Sequence, residues 1–176
     1  MSRAATVNIR PIAMMPYHFD STVEISAAAH AVFSHLDDPR RLSAHMSDSS
    51  WMMAGSHMAI ELDASGQAVG AIIRLRSRLL GIPLFVEEIV TERKAPLRKV
   101  WETTGRPQLL VIEPYRMGYE ITPKGQSSHL RVFIDYALPD GFFSRCFGRL
   151  LGSFYARWCA QRMVHDAAKY FKSTGP

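Results

Sequence analysis

Residues 121–136 read ITPKGQSSHLRVFIDY and predict two strands joined by a tight turn. Pro123, Lys124 and Gly125 are residue types that favour such a turn. On both sides of it, apolar side chains recur at every second position, which is the period of a strand with one buried face. These side chains are Tyr115, Met117, Tyr119 and Ile121 before the turn, and Leu130, Val132, Ile134, Tyr136 and Leu138 after it. The stretch therefore predicts an antiparallel hairpin.

Further strands are predicted upstream by the same two-residue period. Apolar and polar residues alternate over 58–62 and, after a short Ser-Gly turn, again over 69–80. Residues 84–93 and 99–104 have the composition of two more strands. Because short turns join most of these segments, they favour an antiparallel meander over parallel strands connected by helical crossovers.

The beginning of the chain predicts one strand and two short helices. Residues 17–25 alternate as a strand, and Ser26 is a suitable N-cap for a helix over 27–36. Asp38 and Pro39 then have the types preferred at the N-cap and at the first position of a second short helix.

From residue 141 onward the period becomes helical and predicts one helix of about thirty residues. A polar stripe recurs every four residues and comprises Arg145, Arg149, Ser153, Arg157, Gln161, His165 and Lys169. The wide apolar face comprises Phe143, Phe147, Leu150, Leu151, Phe154, Tyr155, Trp158, Cys159 and Met163. Beside it runs a ridge of small residues: Gly148, Gly152, Ala156 and Ala160. This ridge indicates either a close approach of the helix to the sheet or room for a bound molecule.

The length of 176 residues, of which 47% are hydrophobic and 21% charged, indicates one globular domain. We place it at residues 17–172, after an arm over 1–16 and before a short tail over 173–176. The arm lacks the apolar stretch of a secretory signal or of a membrane span. Cys146 and Cys159 fall on one helix about 20 Å apart, beyond disulfide reach. Two free thiols predict a cytoplasmic protein.

The net charge of +5 is modest and does not predict a nucleic-acid partner. Arg74, Arg76 and Arg78 share one face of a strand, but Leu75 and Ser77 between them supply no aromatic ring on which a base could stack. These arginines indicate a solvated outer face of the sheet or a surface for an acidic partner.

The spacing of the histidines and cysteines matches no metal-binding motif, and no glycine-rich nucleotide-binding motif is present. We therefore predict neither a metal nor a cofactor.

The order of these elements resembles the helix-grip fold of the START-like superfamily, which includes polyketide cyclases and dehydrases and the birch-pollen-allergen proteins. The likeness covers residues 17–171. It is carried by STVEISAAAHAVFSHLDDPRR at 21–41, by the hairpin at 121–136 and by the aromatic closing helix. It implies an α+β fold in which a curved antiparallel sheet of about seven strands wraps around the long C-terminal helix. It also implies a hydrophobic cavity between the sheet and that helix.

Periodicity, together with the helix-facing interior that the resemblance implies, predicts the residues that line this cavity. Five belong to the sheet: Tyr115, Tyr119, Val132, Ile134 and Tyr136. Five belong to the closing helix: Phe147, Leu151, Phe154, Tyr155 and Trp158. Trp51 comes from the loop after the second short helix, where this fold often has its cavity mouth.

Polar groups inside such a cavity are candidates for catalysis, because a low dielectric shifts their pKa values toward neutrality. Glu88, His57 and Tyr119 are the catalytic candidates. One of the neighbours Glu87 and Glu88 must face inward in a regular strand, and a bulge would exchange them.

Three functions are compatible with these features. The leading one is a binding module for a lipophilic small molecule such as a lipid, a polyketide or an isoprenoid. The second is a cofactor-independent enzyme of the polyketide cyclase or dehydrase type. The third is a protein-interaction domain that acts through its basic surface.

Overall fold

The computed structural model of the chain describes residues 15–42, 59–62, 66–79, 82–108, 112, 114–138 and 142–173. Within these ranges, the structure describes only the backbone of residues 42, 59–60, 62, 77–79, 82, 105–108 and 142–150.

Seven strands form one antiparallel sheet with the order β1-β7-β6-β5-β4-β3-β2. Each strand from β2 onward pairs with the next along the chain, and β1 closes the order by pairing with β7. The predicted antiparallel meander is confirmed. The strands are β1 (Tyr17–Ile25), β2 (Ala59–Leu62), β3 (Ile72–Leu79), β4 (Ile82–Lys94), β5 (Arg98–Gln108), β6 (Tyr115–Lys124) and β7 (Ser127–Tyr136).

The hairpin of β6 and β7 buries the predicted side chains of both strands. Ile121 lies opposite Leu130, and Tyr115 lies opposite Tyr136, so the apolar residues of both strands share one face. Gly125 in the turn has a φ of 62°, a left-handed conformation that glycine adopts without steric cost.

The described part of the chain also contains three helices: α1 (Ala29–Leu36), α2 (Pro39–Leu42) and α3 (Phe142–Ser173). The short α2 begins as predicted, since the backbone N–H of Arg40 donates to the Asp38 carboxylate over 3.0 Å. In the described part of the chain, no helix has the length and apolar character needed to cross a membrane.

The predicted Ser26 cap is wrong. The N-cap of α1 is Ala28, and none of the described side chains caps this helix. The reason is a tight turn after β1, in which the N–H of Ala27 donates to the carbonyl of Ile25 over 2.8 Å. This turn delays the first helical residue to Ala29, so Ser26 lies too far upstream to reach the free N–H groups.

The side of α3 that packs against the rest of the domain is built from small residues. Gly152, Ala156 and Ala160 are buried, whereas Ser153 and Gln161 of the predicted polar stripe are exposed. The helix contacts β1, β7 and α1. The described part of the ridge therefore packs closely against the domain, and room for a bound molecule beside it stays a prediction.

Two irregularities interrupt the pairing of β4 with β5, one between Phe85 and Glu87 and one between Val90 and Glu92. Bulges of this kind bend a strand and increase the local twist of the sheet. Glu88 lies between these two irregularities.

A buried ion pair fixes the junction of α1 and α2 to the sheet. The Lys99 ammonium, 1% exposed, donates to the Asp37 carboxylate over 2.8 Å and to the Asp37 carbonyl over 2.9 Å. Arg93 donates to the same carboxylate over 2.8 Å. Burial raises the pKa of Asp37, but the hydrogen bonds from Arg93 and Lys99 outweigh it and hold that pKa below its usual value. The pair therefore remains charged, and it positions both short helices.

Candidate functional site

A row of polar side chains crosses the inner face of the sheet near one end. Glu88 on β4 lies opposite Thr103 on β5. The Thr103 hydroxyl donates to the backbone carbonyl of Tyr115 over 3.2 Å and accepts from its N–H over 3.1 Å, which joins β5 to β6. Tyr115 in turn lies opposite Tyr136 on β7. Residues from four neighbouring strands are thereby brought into one line.

Glu88 is the most unusual member of this row, because its carboxyl group is buried and forms no salt bridge with any of the described residues. The residue is 5% exposed, and none of the described Lys and Arg side chains forms a salt bridge with it. Its carboxylate accepts hydrogen bonds from the hydroxyl of Tyr115 and from Trp101. A carboxyl group in this environment keeps its proton much more easily than one in water.

Burial raises the pKa of Glu88 from 4.5 to about 7, although the hydrogen bonds from Tyr115 and Trp101 and, least of all, the positive charge of Lys99 act in the opposite direction. Burial likewise raises the pKa of Tyr115 well above its usual value, and the neighbouring Glu88 adds to that effect. Tyr115 is therefore a neutral hydroxyl donor, and Glu88 can gain or lose a proton near neutral pH.

The helix contributes a second pair of polar groups near the same point. Tyr155 and Cys159 are one turn apart on α3, and their side chains are hydrogen-bonded to each other. Burial raises the pKa of Cys159 to about 12 and that of Tyr155 well above its usual value, so both are neutral. We call Glu88, Trp101, Tyr115, Tyr155 and Cys159 the inner polar cluster.

Glu87, the neighbour of Glu88, points to the opposite face of the sheet. Its carboxylate pairs with Arg74 over 2.8 Å and accepts from the Thr104 hydroxyl over 3.0 Å. Of the two glutamates, Glu88 is thus the inward one, despite the bulges on both sides of it.

Tyr119 does not join the inner polar cluster. It lies four residues further along β6 than Tyr115, which is about 13 Å in a strand. Its ring makes edge contacts with Phe33 at 5.8 Å and with Trp101 at 6.2 Å between ring centroids. Its buried hydroxyl has no hydrogen-bond partner among the described residues, and burial, followed by the nearby Asp37, raises its pKa. The structure places this catalytic candidate beside the buried ion pair instead.

The remaining candidates from the sheet face inward. Val132, Ile134 and Tyr136 on β7 are all buried. The ring of Tyr136 stacks on that of Tyr17 with 5.4 Å between the ring centroids, at the same end of the sheet as Tyr115.

The expectation that Leu151 and Phe154 line the interior is wrong. Their exposed fractions are 44% and 46%. Phe154 precedes the buried Ala156 by two residues, slightly more than half a helical turn, so the two lie on opposite sides of α3. Packing through the small residues turns the large ones outward. Tyr155 lies between the two sides, and Trp158 lies on the same side as Leu151 and Phe154. Both are half-buried, with 6.1 Å between their ring centroids.

Three other candidates receive no structural account. Trp51 and His57 lie outside the described residues. Phe147 belongs to α3, but its side chain is outside the described part.

The basic strand face is largely neutralised. Arg74 pairs with Glu87 as given above, and Arg76 pairs with Glu61 over 3.8 Å while stacking on the ring of Phe85 at 5.5 Å. The side chain of Arg78 is outside the described part. These contacts favour a solvated outer face. Across the described ranges, no three His, Cys, Asp or Glu side chains lie close enough to hold a metal ion.

Sequence reasoning missed two members of the site on β5, Trp101 and Thr103. The available signal was their two-residue spacing in a strand predicted to pair with the one that carries Glu88. Cys159 was expected to be buried, and it is, but its hydrogen bond to Tyr155 was not predicted.

Solved structures with low sequence identity share this architecture. No protein-family model matches the chain, and no curated protein sequence does. Norcoclaurine synthase from Thalictrum flavum, in complex with a transition-state analogue, superposes with a TM-score of 0.65 at 15% identity, covering 91% of this chain and 96% of its own. The protein TTHA0849 from Thermus thermophilus gives 0.65 at 12%, covering 91% and 100%. Ara h 8.0201 gives 0.60 at 10%, covering 90% and 99%.

The chain has the START-like helix-grip fold. The resemblance drawn from the order of elements is thus confirmed at the level of the fold, and at these identities it establishes the fold alone. In this fold, the inner polar cluster lies between the sheet and α3.

The raised pKa of Glu88 predicts a stability that depends on pH. Between pH 4.5 and 7 the unfolded chain has lost this proton and the folded chain still holds it, so folding stability falls as the pH rises through this window. Glu88→Gln keeps the hydrogen-bonding shape but cannot ionise. The difference in the free energy of unfolding between the variant and the wild type should therefore change by about 3 kcal/mol, in favour of the variant, from pH 4 to above pH 7.

Urea denaturation of both proteins across this pH range measures the difference. Glu87→Gln is the matched control, because that side chain faces outward and should not reproduce the divergence. Parallel stability curves for the wild type and Glu88→Gln would show that Glu88 ionises at its ordinary pKa.

Proposed function

We propose that the protein binds a lipophilic small molecule between α3 and the inner face of the sheet, with Glu88 and Tyr115 as its polar anchor. The observation that carries the proposal is the burial of this carboxyl–hydroxyl pair next to apolar residues of the inner face. Leaving polar groups away from water is costly, and a ligand group that hydrogen-bonds to them offsets part of that cost.

The surroundings of the anchor suit an apolar ligand. Met117 and Ile134 lie next to it on the inner face, and Trp101, Tyr136 and Tyr155 supply rings. Each Å² of apolar ligand surface removed from water would contribute about 25 cal/mol, so affinity would come mainly from the ligand's hydrocarbon or aromatic body. The anchor would fix its orientation. A lipid, a polyketide or an isoprenoid with one carbonyl or hydroxyl group has this chemistry.

Solved structures with this fold include complexes with small molecules. A structure of norcoclaurine synthase from Thalictrum flavum is a complex with dopamine and hydroxybenzaldehyde. The likeness supports a ligand-binding use of the fold, and the inner polar cluster supports the location.

Prodan, an uncharged naphthalene probe with a single carbonyl acceptor, tests this proposal. Its fluorescence should shift to the blue and saturate at one site per chain. Tyr115→Phe, which removes the hydroxyl donor, should raise the dissociation constant by about three- to tenfold, which corresponds to the loss of one hydrogen bond.

Tyr17→Phe is the matched control, since it removes a tyrosine hydroxyl outside the inner polar cluster and should leave prodan affinity unchanged. Thermal unfolding confirms that both variants are folded. Unsaturable prodan fluorescence, or equal affinity in both variants, would refute the proposed anchor.

A second function is favoured by the Glu88 pKa of about 7 beside a neutral Tyr115. These are the properties of an acid–base pair in a cofactor-independent cyclase or dehydrase. The Glu88 carboxylate would remove a proton from a carbon next to a substrate carbonyl. The Tyr115 hydroxyl would donate to the carbonyl oxygen, where negative charge develops. The resulting enolate would attack a second carbonyl of the same substrate, and the new alkoxide would take the proton back from Glu88.

Turnover of an aromatic polyketide analogue with two reactive carbonyls tests this second function. Glu88→Gln should lower kcat by about a hundredfold or more, and wild-type kcat/KM should rise with pH to a plateau above pH 7 as the base ionises. Glu87→Gln should retain wild-type turnover. Binding of the analogue without turnover in the wild type would leave the binding function and exclude the enzymatic one for this substrate.

A further inference from the structure

The solvent-facing side of α3 changes in character along its length. In the first half, Leu151 and Phe154 are large apolar residues that are nearly half exposed. In the second half, Arg162, Lys169 and Lys172 are exposed. At 100° per residue these five side chains fall within a sector of about 80° around the helix, along about 30 Å of its axis. We call these five residues the docking face.

The helix that carries the docking face also carries the charge imbalance of the chain. Its sequence contains six Lys and Arg residues and one acidic residue, Asp166, which gives a net charge of +5. The whole chain also has a net charge of +5, so the residues outside α3 carry equal numbers of positive and negative charges. Asp166 lies 3.5 Å from Arg162, and none of the described acidic side chains forms a salt bridge with Lys169 or Lys172.

We propose that the docking face binds the surface of an anionic membrane. A polyanion such as nucleic acid would use the basic half but would give no role to Leu151 and Phe154. A lipid surface uses both halves, because apolar side chains enter the boundary of the acyl chains while Lys and Arg contact the phosphate groups. The combination of exposed apolar side chains with an uncompensated positive charge on one helix therefore fits lipid better than either feature alone.

Docking in this way requires no rearrangement of the fold. The opposite side of α3, with Ala156 and Ala160, remains packed against the domain. Arg157 lies over the ring of Phe19 on β1 at 5.4 Å, which adds a contact between the helix and the sheet. The helix can therefore lie in the plane of the membrane surface with Leu151 and Phe154 turned toward the lipid. This inference does not depend on the ligand or the reaction proposed above.

Co-sedimentation of the full-length protein with vesicles tests the proposal. The protein should bind vesicles of phosphatidylcholine containing about one third phosphatidylglycerol, and should bind pure phosphatidylcholine vesicles weakly. Leu151→Gln with Phe154→Gln should lower the partition coefficient on anionic vesicles by about tenfold or more. Lys169→Gln with Lys172→Gln should lower it by about tenfold to thirtyfold.

Matched controls come from elsewhere on the surface. Val69→Gln with Leu97→Gln replaces two apolar residues that are 59% and 44% exposed, and Lys94→Gln with Lys124→Gln removes the same two charges from the sheet. Both double variants should bind vesicles as the wild type does. Circular dichroism shows that each variant is folded.

Three results would overturn the proposal. The first is no sedimentation of the wild type with anionic vesicles at low salt. The second is wild-type binding by the Leu151 and Phe154 double variant, which would leave only a non-specific electrostatic attraction. The third is tighter binding to a DNA duplex than to the vesicles at equal salt, which would assign the basic half to a nucleic acid.

Discussion

The packing of the small-residue side of α3 against the sheet is the contact on which the rest of the structure depends. Ala156 and Ala160 are fully buried, so the helix backbone lies close to the neighbouring strands. That approach brings Tyr155 and Cys159 toward Glu88 and Tyr115. The same rotation of the helix turns Leu151 and Phe154 to the solvent. One packing choice thus determines both the composition of the interior and the character of the outer surface.

The interior contains two buried polar centres, one with salt bridges and one without. At one end, Asp37, Lys99 and Arg93 satisfy one another and hold the two short helices to the sheet. Further along the sheet, Glu88 has hydrogen-bond donors but forms no salt bridge in the described part of the chain, and the charge of Lys99 has the smallest effect on its pKa, which lies near 7. The first arrangement is typical of a structural ion pair, and the second is typical of a site that receives a ligand or a proton.

Much of the fold could be predicted because its strands have one buried face. The two-residue period identified the buried face of β6 and β7, and the same period identified Glu88 as in phase with Val86 and Val90. The rest depended on contacts between distant residues. Asp37 and Lys99 are 62 residues apart, and nothing local marks them as partners. On α3, the hydrophobic pattern predicted that the side with large apolar residues faces inward. The side with small residues faces inward instead, because small side chains let the helix pack closely, and hydrophobicity does not report that fit.

The most direct test of the account is the location of a bound apolar molecule relative to α3. Intermolecular nuclear Overhauser effects between prodan and the protein report it residue by residue. The account predicts cross-peaks from the naphthalene protons to the ring of Tyr115 and to the β-protons of Cys159. Cross-peaks to Leu151 and Phe154 in place of these would put the molecule on the outside of the helix and contradict the account.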